Sequence, residues 1–66
     1  MKIIINGEEK SFGSNISIEA MLAELKINPK KVAIEMNLEI IPKSLYAKTL
    51  LKDGDSLEII EFIGGG

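Results

Sequence analysis

Ser17-Ile18-Glu19-Ala20-Met21-Leu22-Ala23-Glu24-Leu25-Lys26 is the stretch whose reading decides the architecture. Ile18, Met21, Leu22 and Leu25 fall at i, i+3, i+4 and i+7, which lays one apolar stripe along a helix. Ser17 offers a hydroxyl oxygen to the unpaired N–H groups of the first turn. Glu19 puts negative charge where the helix dipole is positive. Ile16 is placed to staple against Met21 across the cap. Lys26 suits the C-terminal end, and Pro29 blocks continuation by restricting the backbone of Asn28. A helix over residues 17–26, with Leu22 and Leu25 buried, is therefore expected. One amphipathic helix covers one face of a small sheet and no more, so the rest of the chain should supply that sheet.

Working outward, residues 1–12 read as a hairpin. An apolar, β-branched run ends at Asn6-Gly7, a pair suited to the two positive φ values of a type I′ turn, and extended chain resumes to Phe12. Gly13-Ser14-Asn15 breaks the strand. Beyond the helix, residues 32–36 alternate, with Val32, Ile34 and Met36 on one face and Ala33 and Glu35 on the other. Asn37-Leu38-Glu39 turns the chain, and Ile40-Ile41 is a brief extended piece stopped by Pro42. Residues 43–47 suit a single helical turn, with Tyr46 as a partly buried anchor and Leu50 and Leu51 pinning the segment to the core. Asp53-Gly54-Asp55 is a turn signal. Its two carboxylates lack the rest of a calcium-loop pattern, so no metal site is expected. Residues 57–63 form the last strand, and Gly64-Gly65-Gly66 follows. The fold class is α+β: a mixed sheet of four to five strands with one main helix on one face. Residues 1–63 are expected to form the domain and residues 64–66 a flexible tail.

Sixty-six residues make one domain. A chain of that size buries only roughly 60% of its unfolded surface. With no Cys and no His, neither disulfide nor soft-metal site can reinforce it, and stability must come from aliphatic packing. The same absences remove the thiol nucleophile and the imidazole base. A net charge of −2 and eight scattered basic residues, all Lys, argue against a nucleic-acid partner. The apolar Ile3-Ile4-Ile5 is far too short for a signal sequence or a membrane span, so the chain reads as cytoplasmic with no membrane partner.

Two features carry function. The three glycines follow directly on an apolar strand and place the carboxylate of Gly66 on a stalk. A carboxylate is a poor electrophile and needs activation, for example as an acyl-adenylate, inside another protein's ATP site. Glycines pass through a narrow channel and adopt backbone angles that other residues avoid. The second feature is strand parity. If Leu57 and Ile59 face the core, then Glu58, Ile60 and Phe62 face away from it, and Ile4 points outward with them. Apolar groups on an outward face mark a partner surface.

These residues in this order resemble the ThiS family, the sulfur carriers of thiamine thiazole biosynthesis. The resemblance covers the whole chain: Asn6-Gly7 after the first strand, the helix capped at Ser17, Asn37 followed by Ile40-Ile41-Pro42, Asp53-Gly54-Asp55, Leu57-Glu58-Ile59-Ile60, and the ending Phe62-Ile63-Gly64-Gly65-Gly66. It implies a ubiquitin-like β-grasp fold and a protein that is a co-substrate rather than an enzyme, with no catalytic residue, metal or cofactor of its own. A ThiF-like, ATP-dependent enzyme would adenylate Gly66. Sulfur from a cysteine desulfurase or another donor would give a thiocarboxylate, and a ThiG-like thiazole synthase would receive that sulfur. Gly64 and Gly65 would thread the tail, while Ile4, Ile60, Phe62 and Ile63 would form the partner interface. Three other readings stay open: a molybdopterin-synthase small-subunit type of carrier, a ubiquitin-like modifier, and an interaction module with an inert tail. The absence of Pro after Pro42 favours the thiazole reading over the molybdopterin one.

Overall fold

The computed structural model describes residues 1–62; the expectations placed on Ile63, Gly64, Gly65 and Gly66 lie outside the described residues. Five strands form one sheet: β1 (Lys2–Ile5), β2 (Glu8–Ser11), β3 (Val32–Met36), β4 (Glu39–Ile41) and β5 (Ser56–Glu61). Their spatial order is β2-β1-β5-β3-β4. β1 and β5 run parallel at the centre, and the other neighbours are antiparallel. The helix α1 (Ile18–Glu24) packs its apolar stripe on one face, giving the β-grasp arrangement.

Two tight hairpins set the register. Asn6 and Gly7 have φ of 51° and 83°, and Asn37 and Leu38 have 51° and 72°. Paired positive φ values match the right-handed twist of the flanking strands. Leu38 occupies a position that favours glycine, with its side chain 90% exposed.

The helix begins as expected: Ser17 Oγ accepts a hydrogen bond from the Ala20 N–H at 3.0 Å. Its end differs. Pro29 is not the stop, because the helix closes a full turn earlier in a Schellman motif. Lys26 takes a left-handed φ of 60°. Its N–H donates to Ala23 O at 3.1 Å, and the Ile27 N–H donates to Leu22 O at 2.9 Å. Pro29 instead opens a 3-10 turn, Pro29–Lys31, capped by the Asn28 side chain. The shortened helix leaves Leu25 half-buried rather than buried.

Ile3, Ile18, Met21, Leu22, Val32, Ile34 and Leu57 are sealed between sheet and helix, with Ile5, Phe12, Ile16, Tyr46 and Leu51 closing the margins. Tyr46 follows the 3-10 turn Lys43–Leu45 and is fully rather than partly buried. Of the two leucines expected to pin this segment, only Leu51 does so. Leu50 is exposed because its backbone bridges Ser17, which leaves alternate side chains to point outward.

The turn at residues 53–55 shows what its carboxylates do. Asp53 Oδ1 accepts from the Lys2 N–H at 2.6 Å, and Asp55 Oδ2 accepts from the Lys52 N–H at 2.8 Å. Asp55 Oδ1 also accepts from Asn37 Nδ2, whose own Oδ1 takes the Ser56 N–H. Both carboxylates thus hold backbone N–H groups of the turn and of β1. No cluster of three or more metal-binding side chains occurs among the described residues. No helix among them is long and apolar enough to cross a membrane.

Candidate functional site: the uncovered sheet face

α1 covers one face of the sheet, so every outward-pointing strand residue is left to solvent or to a partner. In β5, Leu57 is buried and Ile59 partly so, while Glu58 and Ile60 alternate outward and Phe62 continues the parity. Ile60 is 48% exposed, Phe62 54% and Ile4 39%. The structure therefore brings the three to one face, as the alternation requires.

Cross-strand register adds residues that the sequence reading missed. Ala33 lies opposite Ile60, Glu35 opposite Glu58, and Ile40 opposite Glu35. Ile40 accordingly shares the outward face and is exposed. A signal for it existed: a two-residue hairpin at Asn37-Leu38 pairs Met36 with Glu39, and that fixes the parity of Ile40. Ala33 is small, so Ile60 and Ile40 stand above a shallow floor. Glu35 and Glu58 form a like-charge cross-strand pair. The ion pairs among the described residues lie elsewhere, at the β2 edge: Lys2 with Glu9 at 3.6 Å and Lys10 with Glu8 at 3.9 Å.

Phe62 marks the point where the described chain leaves the sheet. Its N–H donates to Lys31 O at 2.9 Å, so β3's side of the strand is held to the last described residue. Lys43 Nζ sits 5.0 Å from the centre of the Phe62 ring. That distance is within range for a cation–π contact, which fixes the ring while leaving much of it exposed. On β1's side the chain has already turned away at Asn6, and the Asn6 side chain takes over. Its Oδ1 accepts from the Ile59 N–H at 2.8 Å and its Nδ2 donates to Ile59 O at 3.3 Å.

A depression beside β5 on the helix side of the sheet, lined by Lys26, Ile27, Asn28, Lys31, Val32 and Glu61, has a volume of about 150 Å³. Small-molecule sites usually run to roughly 300–1,000 Å³. The one phenol, Tyr46, is inside the core. Burial pushes its pKa up from the ordinary value of 10.0, against a smaller opposing effect of the Ile34 backbone. A phenol so placed stays protonated and does not reach the uncovered face.

Comparison with known proteins agrees with the geometry. The ThiS family matches residues 3–66. A thiazole synthase of Paramagnetospirillum magneticum is 56% identical over 66 residues, which is all of this chain but 20% of that protein's length. The sulfur carrier protein ThiS of Bacillus subtilis is 36% identical over 63 residues, covering 94% of this chain and 96% of the relative. Among solved structures, the thiamine biosynthesis protein ThiS from Geobacter metallireducens superposes with a TM-score of 0.86 at 29% identity, each chain covered in full. By family match, by relatives of its own length and by fold, the chain belongs to the ThiS family.

Proposed function

We propose that this chain is a sulfur carrier for thiazole formation in thiamine biosynthesis, acting as a protein co-substrate through the carboxylate of Gly66. The observation that carries the reading is structural. The central strand of the sheet, anchored below by Leu57 and presenting Ile60 and Phe62 above, runs directly toward Ile63-Gly64-Gly65-Gly66. A carrier needs a docking face near its reacting end, and Gly66 follows the exposed Phe62 by four residues in the sequence.

The chemistry divides between partners. A carboxylate oxygen of Gly66 attacks the α-phosphorus of ATP in an adenylating enzyme, and pyrophosphate leaves. A sulfur nucleophile then attacks the acyl carbon, and AMP leaves with one of the original carboxylate oxygens. If the donor is the persulfide of a cysteine desulfurase, a second thiol cleaves the S–S bond and is oxidised in doing so. The carrier contributes no acid, base or metal to these steps; it binds, orients and delivers. Residues 64–66 act as the stalk, and Ile4, Ile60, Phe62 and Ile63 form the surface on which the adenylating enzyme and a thiazole synthase alternate.

A thiazole synthase as partner is supported by two relatives that bear that name, each matching this chain over 20% of its own length. In such proteins a domain like this one shares a chain with a much larger remainder. The same names favour the thiazole pathway over the molybdopterin alternative.

Intact mass tests the proposal. With an adenylating enzyme, a desulfurase, cysteine and ATP, the mass should rise by the difference between one sulfur and one oxygen. An alkylating reagent should then trap the product at the C-terminus, and no Cys is present to compete. Adding one residue after Gly66 should abolish the gain. Equal conversion of the extended chain would remove the terminal carboxylate from the mechanism. Phe62→Asp should weaken docking with the circular dichroism of the fold retained, since Phe62 is exposed. An unfolded Phe62→Asp protein would make Phe62 a core residue and refute the docking role.

A further inference from the structure

We infer that Asn6 is a positioning residue whose side-chain amide stands in for a missing β1 peptide and fixes where β5 leaves the sheet. This rests on the carrier reading only for its functional consequence; the geometry stands apart from it. β1 ends at Ile5, and the chain reverses through Asn6 and Gly7 at positive φ. β5 continues past that turn as far as Glu61. Asn6 still donates its backbone N–H to Leu57 O at 2.9 Å, the last main-chain bond that β1's side offers. One step further along β5, Ile59 also directs its N–H and C=O to this side, where the main chain is no longer present.

The Asn6 amide fills that gap. Oδ1 receives the Ile59 N–H at 2.8 Å and Nδ2 reaches Ile59 O at 3.3 Å. A peptide group points its N–H and C=O in opposite directions, but a primary carboxamide carries an acceptor and a donor side by side. One amide therefore serves both groups of Ile59, and only one orientation satisfies both. The strand is thereby clamped on both sides: to β3 through Ile60 and Phe62, and to Asn6 through Ile59. Ile59 lies three residues before Phe62, and its neighbour Ile60 belongs to the docking face. A loose Ile59 would let the last residues of β5 tilt away from β3, shifting Ile60 and Phe62 relative to Ile4. Because Asn tolerates positive φ better than most residues, one side chain can both make the turn and brace the strand.

Asn6→Gly separates these two roles, since glycine keeps the turn and loses the amide. Asn6→Asp supplies a second variant that accepts from the Ile59 N–H but faces Ile59 O with no donor. Native-state hydrogen exchange should show the Ile59 amide exchanging about tenfold faster in Asn6→Gly, as for loss of one or two exposed hydrogen bonds. Asn6→Asp should fall between that variant and the native protein. In the reconstituted conversion, the KM of the adenylating enzyme for Asn6→Gly should rise several-fold with kcat little changed, because docking must now order the strand. An unchanged Ile59 exchange rate in Asn6→Gly would overturn the brace. Faster exchange with an unchanged KM would overturn its role in positioning. Failure of the native protein to be converted would instead count against the carrier reading, while the exchange result would still decide the brace.

Discussion

Lys26→Gly should stabilise this protein, although it removes a side chain and places glycine at the end of a helix. Lys26 has φ of 60°, where an L-residue's Cβ crowds its own backbone. Holding a non-glycine residue there costs about 1–2 kcal/mol. Glycine at the same position has more freedom to lose when the chain folds, a penalty of about 0.4–1 kcal/mol. The difference leaves a net gain on the order of 0.5–1 kcal/mol. Lys26 is exposed and takes part in neither ion pair among the described residues. Its side chain therefore offsets this only through its charge near the helix C-terminus, which the alanine control removes equally. The two hydrogen bonds that close the helix use main-chain atoms and survive the change. In urea the unfolding midpoint should rise with an unchanged slope, the signature of altered stability without altered compactness. In heat the midpoint should rise by roughly 2–8 °C, since each kcal/mol shifts a domain of this size by about 4–8 °C. Lys26→Ala is the control: it deletes the same charge but keeps the Cβ, so it should show no such gain. A Lys26→Gly protein no more stable than Lys26→Ala would refute the strain argument.

Three further outcomes follow from particular contacts. Leu22→Ala should cost roughly 2–5 kcal/mol, because Leu22 is fully enclosed and its loss leaves a cavity; thermal melting equal to that of the native protein would mean the core is misassigned. Glu58→Lys should raise stability by about 0.2–1 kcal/mol by converting the Glu35–Glu58 cross-strand repulsion into an attraction, and the gain should shrink in high salt. Tyr46 gives a pH dependence. Its folded pKa is raised above the unfolded value near 10.0, so the folded state holds the proton longer, and stability should fall as pH rises past 10.0 through the folded pKa. Tyr46→Phe should lose that component of the alkaline decline, and identical alkaline profiles would contradict the assignment.

Much of this fold is legible where one side-chain period dominates. The stripe Ile18, Met21, Leu22 gives the helix, and the alternation in residues 32–36 and 57–62 gives both the core and the outward apolar set. Asn6-Gly7 gives the first hairpin because glycine and asparagine are the residues that accept its backbone angles. What escaped reading has a common cause: backbone geometry in unexpected residue types. Lys26 in a left-handed C-terminal cap carries no residue signature, so the sequence points instead to the more visible Pro29 as the end of the helix. Leu38 hides a type I′ turn for the same reason, and with it the outward parity of Ile40. The Asn6 bonds to Ile59 are invisible in sequence because they join positions 53 residues apart. Leu50 and Leu51 are chemically alike, and only the bridge from Leu50 to Ser17 decides which of them is buried.

The position of β5 explains how so small a domain can combine a stable core with an exposed apolar face. Unprotected sheet edges invite unwanted pairing. Here the β2 edge carries Glu8, Glu9 and Lys10 with two ion pairs, and β4 is three residues long and is followed by Pro42. Both edges are thus poor templates for another strand, in keeping with the docking proposed for the uncovered face. β5 lies third of five in the sheet, flanked by β1 and β3, so pulling on its end loads two neighbours at once. Within that strand the alternation assigns Leu57 and Ile59 to the core and Ile60 and Phe62 to the surface, one residue apart. A force or a displacement at Phe62 is therefore carried to Leu57 through a few peptide units held by hydrogen bonds on both sides. Anchoring and presentation are properties of the same segment, and neither can shift register without disrupting the other.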